Sequence, residues 1–375
     1  MTKSLLLSLV ASAFAAFSGP AHAADLPEAC SSYQAAVTAG PLPPSDSDIV
    51  IIRWLGNANF EFGYRNKVYL FDAYFDRTPR SHPLGFKAAE VSKAEAIFIS
   101  HAHFDHISDV GPVARQTGAP VIGAPLTAEI AQKLGVPEKQ IIVAKGGETM
   151  KFGDATVEIA LAQHSTIQPG LTDIYANLYK NDSPPYSDQE KDLLDHVRSL
   201  GTFDPKVITE GTLAYGLVFP SGFKAVLIGS AGPITPGVRA LAEKLGPVDV
   251  ATVAYQVHAV ADTQIDYTWP FIELFKPKLF LPAHHDAAPP TWVDLGLEPL
   301  FSKIRAEMPD TAFLAPLYRS PTLSFSDLCR QQWPRQGKGA VVQVLKAPQI
   351  MSAFGTKRTW RSLSAMSAFG GKADI

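Results

Sequence analysis

Ser100-His101-Ala102-His103-Phe104-Asp105-His106 gathers three imidazoles and a carboxylate within six residues. It follows directly on the apolar run Ala96-Ile97-Phe98-Ile99. Such a run reads as a buried strand, so the cluster sits at a strand's carboxyl end and in the loop beyond it. Imidazole with carboxylate suits zinc, and also iron or manganese. His101 and His103, two apart just past a strand, can turn toward one ion. Asp105 and His106, on the next turn of chain, can reach a second. A polar loop merely rich in His would have to place four potential ligands side by side by accident, in a chain with ten His in all. Metal binding is the better reading.

The elements that position this cluster show as apolar runs between turn signals. After a Pro-rich lead from Pro41 to Asp48, Ile49 to Leu55 begins a strand, and Phe60 to Phe62 and Val68 to Phe71 continue the β pattern. Gly56-Asn57 and Gly63 to Asn66 separate them, which predicts an antiparallel meander with Asp72 after its last strand. Leu126 to Leu134 has helical spacing and stops at Gly135, a C-cap position. Gln140 to Ala144, Thr149 to Phe152 and Thr156 to Ala162 read as strands, the last delivering Gln163-His164-Ser165. Strands resume at Leu213 to Phe219 and Ala225 to Ile228. A helix over Gly237 to Leu245, a strand over Val248 to Tyr255 and a helical Phe271 to Phe275 follow. A strand over Lys278 to Leu281 then feeds Pro282-Ala283-His284-His285-Asp286. Meanders first and strand–helix alternation later, in two halves, predict sheets packed face to face with helices outside. Residues 166–206 break the rhythm with Pro169, Gly170, Pro184, Pro185 and a charged helical stretch from Asp188 to Leu200. They read as an insertion over the site mouth, either a lid or a plain surface excursion.

A chain of 375 residues can bury a sizeable core, as one large domain or two ordinary ones. Residues 1–23 read as a secretory signal: Lys3, an apolar core from Leu5 to Phe17, and the small-x-small site Ala21-His22-Ala23. That core is too short to span a bilayer, and no later segment is long enough. The expected mature protein starts near Ala24 and is periplasmic or secreted. In an oxidising compartment Cys30 and Cys329 are expected to pair as a disulfide clasping the two ends of the domain. The net charge of −3 divides into a basic tail from 338 to 375, carrying +5, and a body from 24 to 337 carrying −9. An acidic body does not favour a polyanion, so nucleic acid is not an expected partner. In the tail Met351-Ser352-Ala353-Phe354-Gly355 recurs as Met366-Ser367-Ala368-Phe369-Gly370. Two copies of so short a unit cannot build a stacked fold, and residues 331–375 read as a disordered extension.

The pattern His101-x-His103-x-Asp105-His106, then His164, Gly229-Ser230-Ala231-Gly232 and His284, resembles the metallo-β-lactamase superfamily. Trp54-Leu55-Gly56-Asn57-Ala58 and Asp72 look like its lactonase-like branch, which includes the N-acyl-phosphatidylethanolamine phospholipase D enzymes. The resemblance covers roughly Ile49 to Asp286. It implies an α+β fold, the αβ/βα four-layer sandwich, within a hydrolase domain over 49–330 that follows a lead at 24–48. The metal site would lie at one edge of two facing sheets. Carried over position by position, His101, His103 and His164 would hold a first ion, and Asp105, His106 and His284 a second. Asp72 would support the site from behind. His285 would line the pocket. The family usually places a bridging aspartate in a Gly-Asp-Thr-Gly turn, where this chain has Ser230. Two dications would then face one carboxylate, Asp105, so either one ion is held tightly or another group substitutes. Asp286, Glu210 and His258 are the candidates, with His258 more often a pocket wall at such a position.

The implied chemistry is hydrolysis of a lactone, ester, amide or phosphodiester, with one or two Zn²⁺ ahead of iron or manganese. Bound zinc lowers the pKa of water from about 15.7 to near 7, and Asp105 is placed to ligate and to handle the water's proton. The substrate is a small molecule, and surplus positive charge favours an anionic one. Gly229-Ser230-Ala231-Gly232 lacks the Gly-x-Ser-x-Gly spacing of a serine hydrolase. Two other readings stand beside this one: an iron-dependent oxidoreductase of the same superfamily, and a binding protein with a decayed site.

Overall fold

Period-two alternation in the first strands separates an inward from an outward face. In β1 (Val50–Trp54), Val50, Ile52 and Trp54 enter the central core, as do Phe60, Phe62 and Tyr64 of β2 (Phe60–Tyr64) and Tyr69 and Phe71 of β3 (Lys67–Phe71). The computed structural model describes residues 42–77, 81, 84–165, 187–202, 206–255, 264–286, 296–316 and 321–324, with side chains at 194, 197, 209, 210 and 321–324 excepted. The expected signal sequence, both cysteines, residues 166–186 of the insertion, His258 and the basic tail lie outside these residues.

Among the described residues, seven strands make each of two sheets. In the first, β1 to β3 are joined by β4 (Ala96–Phe98), β5 (Val121–Gly123), β6 (Ile141–Val143) and the last strand, β14 (Pro321–Ser324), in the order β14-β1-β2-β3-β4-β5-β6. The second contains β7 (Thr149–Phe152), β8 (Ala155–Leu161), β9 (Leu213–Val218), β10 (Lys224–Ile228), β11 (Val250–Ala254), β12 (Leu279–Ala283) and β13 (Ala312–Phe313), in the order β13-β12-β11-β10-β9-β8-β7. Each sheet is antiparallel over its meander strands and turns parallel beyond β3 and β10. Parallel neighbours need crossovers, which is where the helices are inserted.

The inner faces meet in one core, where Tyr215, Leu217 and Leu281 oppose Phe62, Phe71 and Phe98. Each buried aromatic or aliphatic side chain there contributes roughly 1.5–3 kcal/mol through lost water contact. Helices Val110–Thr117 and Pro125–Lys133 cover the first sheet through Val113, Ala114, Ile130 and Ala131. Helices Pro236–Leu245, Gln264–Phe275 and Glu298–Glu307 cover the second through Val238, Leu241, Ile272, Phe275 and Leu300. This is the expected αβ/βα four-layer sandwich. Arg53 and Glu61, directly opposed on β1 and β2, form a fully buried ion pair on the outward face, so neither charge is left alone.

Several elements depart from the sequence reading. Helix Val110–Thr117 lies in a stretch for which the sequence reading assigned no element, and Gly111 and Pro112 stand in its first turn. Proline is tolerated in a first turn, where its missing N–H has no intrahelical partner. Gly111 is required by close packing, since a Cβ there would stand 1.9 Å from the Leu134 carbonyl oxygen. Helix Gln264–Phe275 starts seven residues before the expected Phe271 and runs through Pro270. Pro282, expected after a strand, lies within β12 opposite Val253. Both β5 and helix Glu298–Glu307 also lacked a clear periodic signal.

One buried carboxyl in this frame gives a pH-dependent prediction. Asp109 Oδ2 accepts the backbone N–H groups of Phe75 at 2.5 Å and Asp76 at 2.9 Å, pinning the loop after β3. Burial pushes its pKa up to about 6, against the opposing pull of those N–H groups. The folded protein therefore takes up a proton between pH 4 and 6 that the unfolded chain does not, and Asp109 favours folding more as pH falls through that window. Asp109→Asn removes this dependence. Its stability relative to wild type is expected to rise by on the order of 2–3 kcal/mol from pH 4 to pH 8 in chemical denaturation; a flat difference contradicts the assignment.

Candidate metal centre

Strand ends from both sheets deliver two clusters of donors to one edge of the sandwich. His101 and His103 follow β4, and His164 follows β8, so the first cluster draws on both sheets. His101, His103 and His164 offer ligand atoms that all lie within 4.8 Å of one another, and the same holds for Asp105, His106 and His284. In the first set His101 Nε2 and His103 Nδ1 are 3.1 Å apart, and the His164 ring centroid lies 4.6 Å from each of the other two. His164 Nδ1 donates to the Ser165 carbonyl at 2.5 Å, which leaves Nε2 to the cluster. In the second set His284 Nε2 is 3.1 Å and His106 Nε2 3.8 Å from Asp105 Oδ2. His106 and His101 sit ring to ring at 3.9 Å between centroids, so the two clusters are contiguous.

Hydrogen bonds from behind hold these side chains. Asp72 Oδ2 lies 2.7 Å from His106 Nδ1, and Asp72 Oδ1 accepts the Ser100 N–H at 2.7 Å. Asn57 works from the other side. Its side-chain amide donates to the Asp105 carbonyl at 2.5 Å, its carbonyl accepts the His284 N–H at 2.8 Å, and its own N–H meets Asp286 Oδ1 at 3.1 Å. Asp72, Asn57 and His284 all adopt positive φ, at 58°, 50° and 59°. Asn, Asp and His are the side chains best suited to that region, apart from glycine.

Charge divides unequally between the sets. Burial, and then the surrounding imidazoles, push His101 well below the ordinary histidine pKa, which favours its neutral, metal-ligating form. Burial works against the Asp105 anion, but His106, His284 and His103 outweigh it and hold the carboxyl well below the usual carboxylate range. His106 is pushed up: burial opposes its charge, and the Asp105 and Asp72 carboxylates overcome that. The second set alone contains a carboxylate.

Not every expected residue joins the clusters. Ser230 Oγ accepts the Ser165 N–H at 3.1 Å and lies 3.2 Å from Ser165 Oγ, steadying the segment that carries His164. Asp286 does not bridge the clusters. Arg77 binds its Oδ2 at 2.6 Å and the Asn57 N–H binds Oδ1, so its charge is already engaged. His285 is stacked on Trp54, with centroids 4.5 Å apart and planes 13° from parallel, and is buried. The side chain of Glu210 and the whole of His258 lie outside the described residues. Asn57 and Arg77 were missed as contributors because their partners are distant in sequence; Ser100, beside the motif, has His101 and His106 within six positions and was read only as the motif's flank. From the insertion, helix Asp188–Ser199 sets Leu193 against Tyr74 and Phe104, the latter between His103 and Asp105. A cleft of about 900 Å³ opens between this helix and the 75–90 segment, with Phe75, Leu84, Phe86 and Leu193 on its walls.

Three imidazoles with ligand atoms within 4.8 Å of one another, beside an imidazole–carboxylate set, match the donors preferred by zinc and other divalent transition metals. His101 Nε2 and His103 Nδ1, 3.1 Å apart, are close enough to share one cation. The residues present therefore fit a metal.

Residues 67–285 match the family profile described as "Beta-lactamase superfamily domain". A UPF0173 metal-dependent hydrolase from Pyrobaculum islandicum is 37% identical over 113 residues, covering 30% of this chain and 48% of that protein. One from Myxococcus xanthus is 32% identical over 166 residues, covering 43% of this chain and 54% of its own length. The chain thus spans about half the length of these curated relatives. Igni18, described as a metallo hydrolase from Ignicoccus hospitalis, superposes with a TM-score of 0.51 at 14% identity, over 74% of this chain and 99% of that one. At that identity the likeness speaks for the fold. With more than half its length matched by the profile, this chain belongs to the β-lactamase superfamily and has the metallo-β-lactamase fold.

Proposed function

We propose that this protein is a metal-dependent hydrolase acting on a small molecule with a lactone, ester, amide or phosphodiester bond. The observation that carries the reading is the convergence of six donor side chains in two adjacent triads at one sheet edge. Its relatives' description as metal-dependent hydrolases supports it. His101, His103 and His164 would hold one cation, and Asp105, His106 and His284 a second, with zinc preferred for its affinity for nitrogen-rich sets. Such a cation supplies Lewis acidity and makes hydroxide available from water near neutral pH.

The chain's own residues do the rest. Asp105, anionic at neutral pH and gripped by the Asn57 amide, is placed to take a proton from an attacking water. Leu193, Tyr74 and Phe104 pack together over the short helix Phe104–Ile107, which carries Asp105 and is capped by His103, where a loop was expected. Two dications against one carboxylate would leave net positive charge, which favours an anionic substrate. The lactonase-like branch rests on Trp54-Leu55-Gly56-Asn57-Ala58 and Asp72. Metal-free protein, reconstituted with zinc, manganese or iron, should be assayed on a panel of lactones, esters, amides and phosphodiesters. Activity is expected to disappear with chelation and return with zinc. Turnover that ignores chelation overturns the reading. A coloured, iron-loaded protein with no hydrolysis favours an oxidoreductase.

Export is part of the same proposal, supported by Lys3, the apolar stretch to Phe17 and Ala21-His22-Ala23. A Cys30–Cys329 disulfide suits that compartment. Intact mass of the secreted protein is expected to begin at Ala24 and to gain two hydrogens on reduction. An unprocessed mass, or no gain, rejects the corresponding half.

A further inference from the structure

Ser100 lies at the junction of the two triads without belonging to either. It is fully buried two residues beyond β4, and its hydroxyl has three acceptor-capable neighbours. Asp72 Oδ2 is 2.9 Å away, His101 Nδ1 3.0 Å and His106 Nδ1 3.3 Å. A hydroxyl has one proton to give. The Ser100 N–H, the Ser100 hydroxyl and His106 Nδ1 all converge on the two Asp72 oxygens, which marks Asp72 as the acceptor and sends the Ser100 proton to Oδ2. The hydroxyl's lone pair is then left for a proton from His101 Nδ1. His106 Nδ1, closer to Asp72 Oδ2 at 2.7 Å, gives its proton there. In its neutral form each imidazole therefore carries its proton on Nδ1. Each turns Nε2 forward, His101 toward His103 and His106 toward Asp105.

We infer that Ser100 is a positioning residue which, together with Asp72, fixes the tautomer of one imidazole in each triad. One buried hydroxyl–carboxylate pair thus sets which nitrogen both clusters present to a cation. The surrounding chain is shaped to leave room for it. Gly229, just beyond β10 of the opposite sheet, approaches so closely that a Cβ would stand 2.3 Å from Ser100 Oγ and 3.2 Å from Asp72 Oδ2. The first glycine of Gly229-Ser230-Ala231-Gly232 is thereby a space requirement of the Ser100 hydroxyl.

The inference rests on the metal reading for its effect on affinity, but the tautomers can be read without metal. The test is a long-range ¹H–¹⁵N correlation spectrum of the full chain, stripped of metal, at a pH where the imidazoles are neutral. His101 and His106 are expected as Nδ1–H forms in the wild type. In Ser100→Ala, His101 is expected to lose that preference while His164, held by the Ser165 carbonyl, keeps its own. Zinc affinity by chelator competition should fall about 10–100-fold, the range typical for partners behind a ligand. A wild-type His101 protonated on Nε2 overturns the inference, and so does a Ser100→Ala protein with unchanged tautomers and zinc affinity. If that variant does not fold, the wild-type spectrum decides alone. Wild-type protein with the expected tautomers but no zinc binding upholds the Ser100 assignment and defeats the metal reading.

Discussion

Nitrogen lone pairs crowded together away from water repel one another unless a cation or a proton lies between them. His101, His103 and His164 bring three imidazoles within 4.8 Å of one another, and burial drives His101 toward its neutral form. Buried polar groups need partners, and unsatisfied ones cost roughly 1–3 kcal/mol each. An ion placed among these donors would relieve both the repulsion and the lost hydration. The second set differs because Asp105 brings a negative charge that His106 and His284 already attract. The two sets therefore draw cations differently, the all-imidazole one by its converging nitrogens and the other by the Asp105 charge.

Everything in the sandwich that matters to function serves to hold those donors in place. The two sheets share an aromatic and aliphatic core, and the site sits where strands of both end. Backbone ties cross between the sheets at that edge: the His284 N–H reaches Asn57, and the Leu213 N–H reaches the Ser100 carbonyl. Asp72, Asn57 and His284 hold left-handed backbone conformations that cost energy in isolation. Each is compensated by hydrogen bonds that recruit its neighbours: Asp72 to Ser100 and His106, Asn57 to Asp105, and His284 to Asn57. The strain is concentrated where chain direction must change sharply to aim a donor.

Sequence made the donors legible because each follows a strand and the central motif is local. His101 to His106 needed no long-range knowledge, and His164 and His284 were reachable once β8 and β12 were recognised. The supporting residues were harder to find. Asn57 meets Asp105 across 48 positions, and Arg77 meets Asp286 across 209. No spacing rule encodes such contacts. Asp286 looked available as a bridge for that reason, and its engagement by Arg77 removes it from that role. Short or irregular elements were also hidden: β5 has three residues, and helix Val110–Thr117 opens with Gly111 and Pro112. Where hydrophobic alternation ran for four residues or more, as in β7 to β10, the expected and observed strands agree within about a residue.

The most direct measurement is anomalous diffraction at the zinc edge from crystals grown with zinc. This account predicts a peak about 2.0–2.1 Å from a nitrogen of each of His101, His103 and His164, the ordinary zinc–imidazole distance. Density at the surface alone, with the three rings turned away from one another, would contradict it.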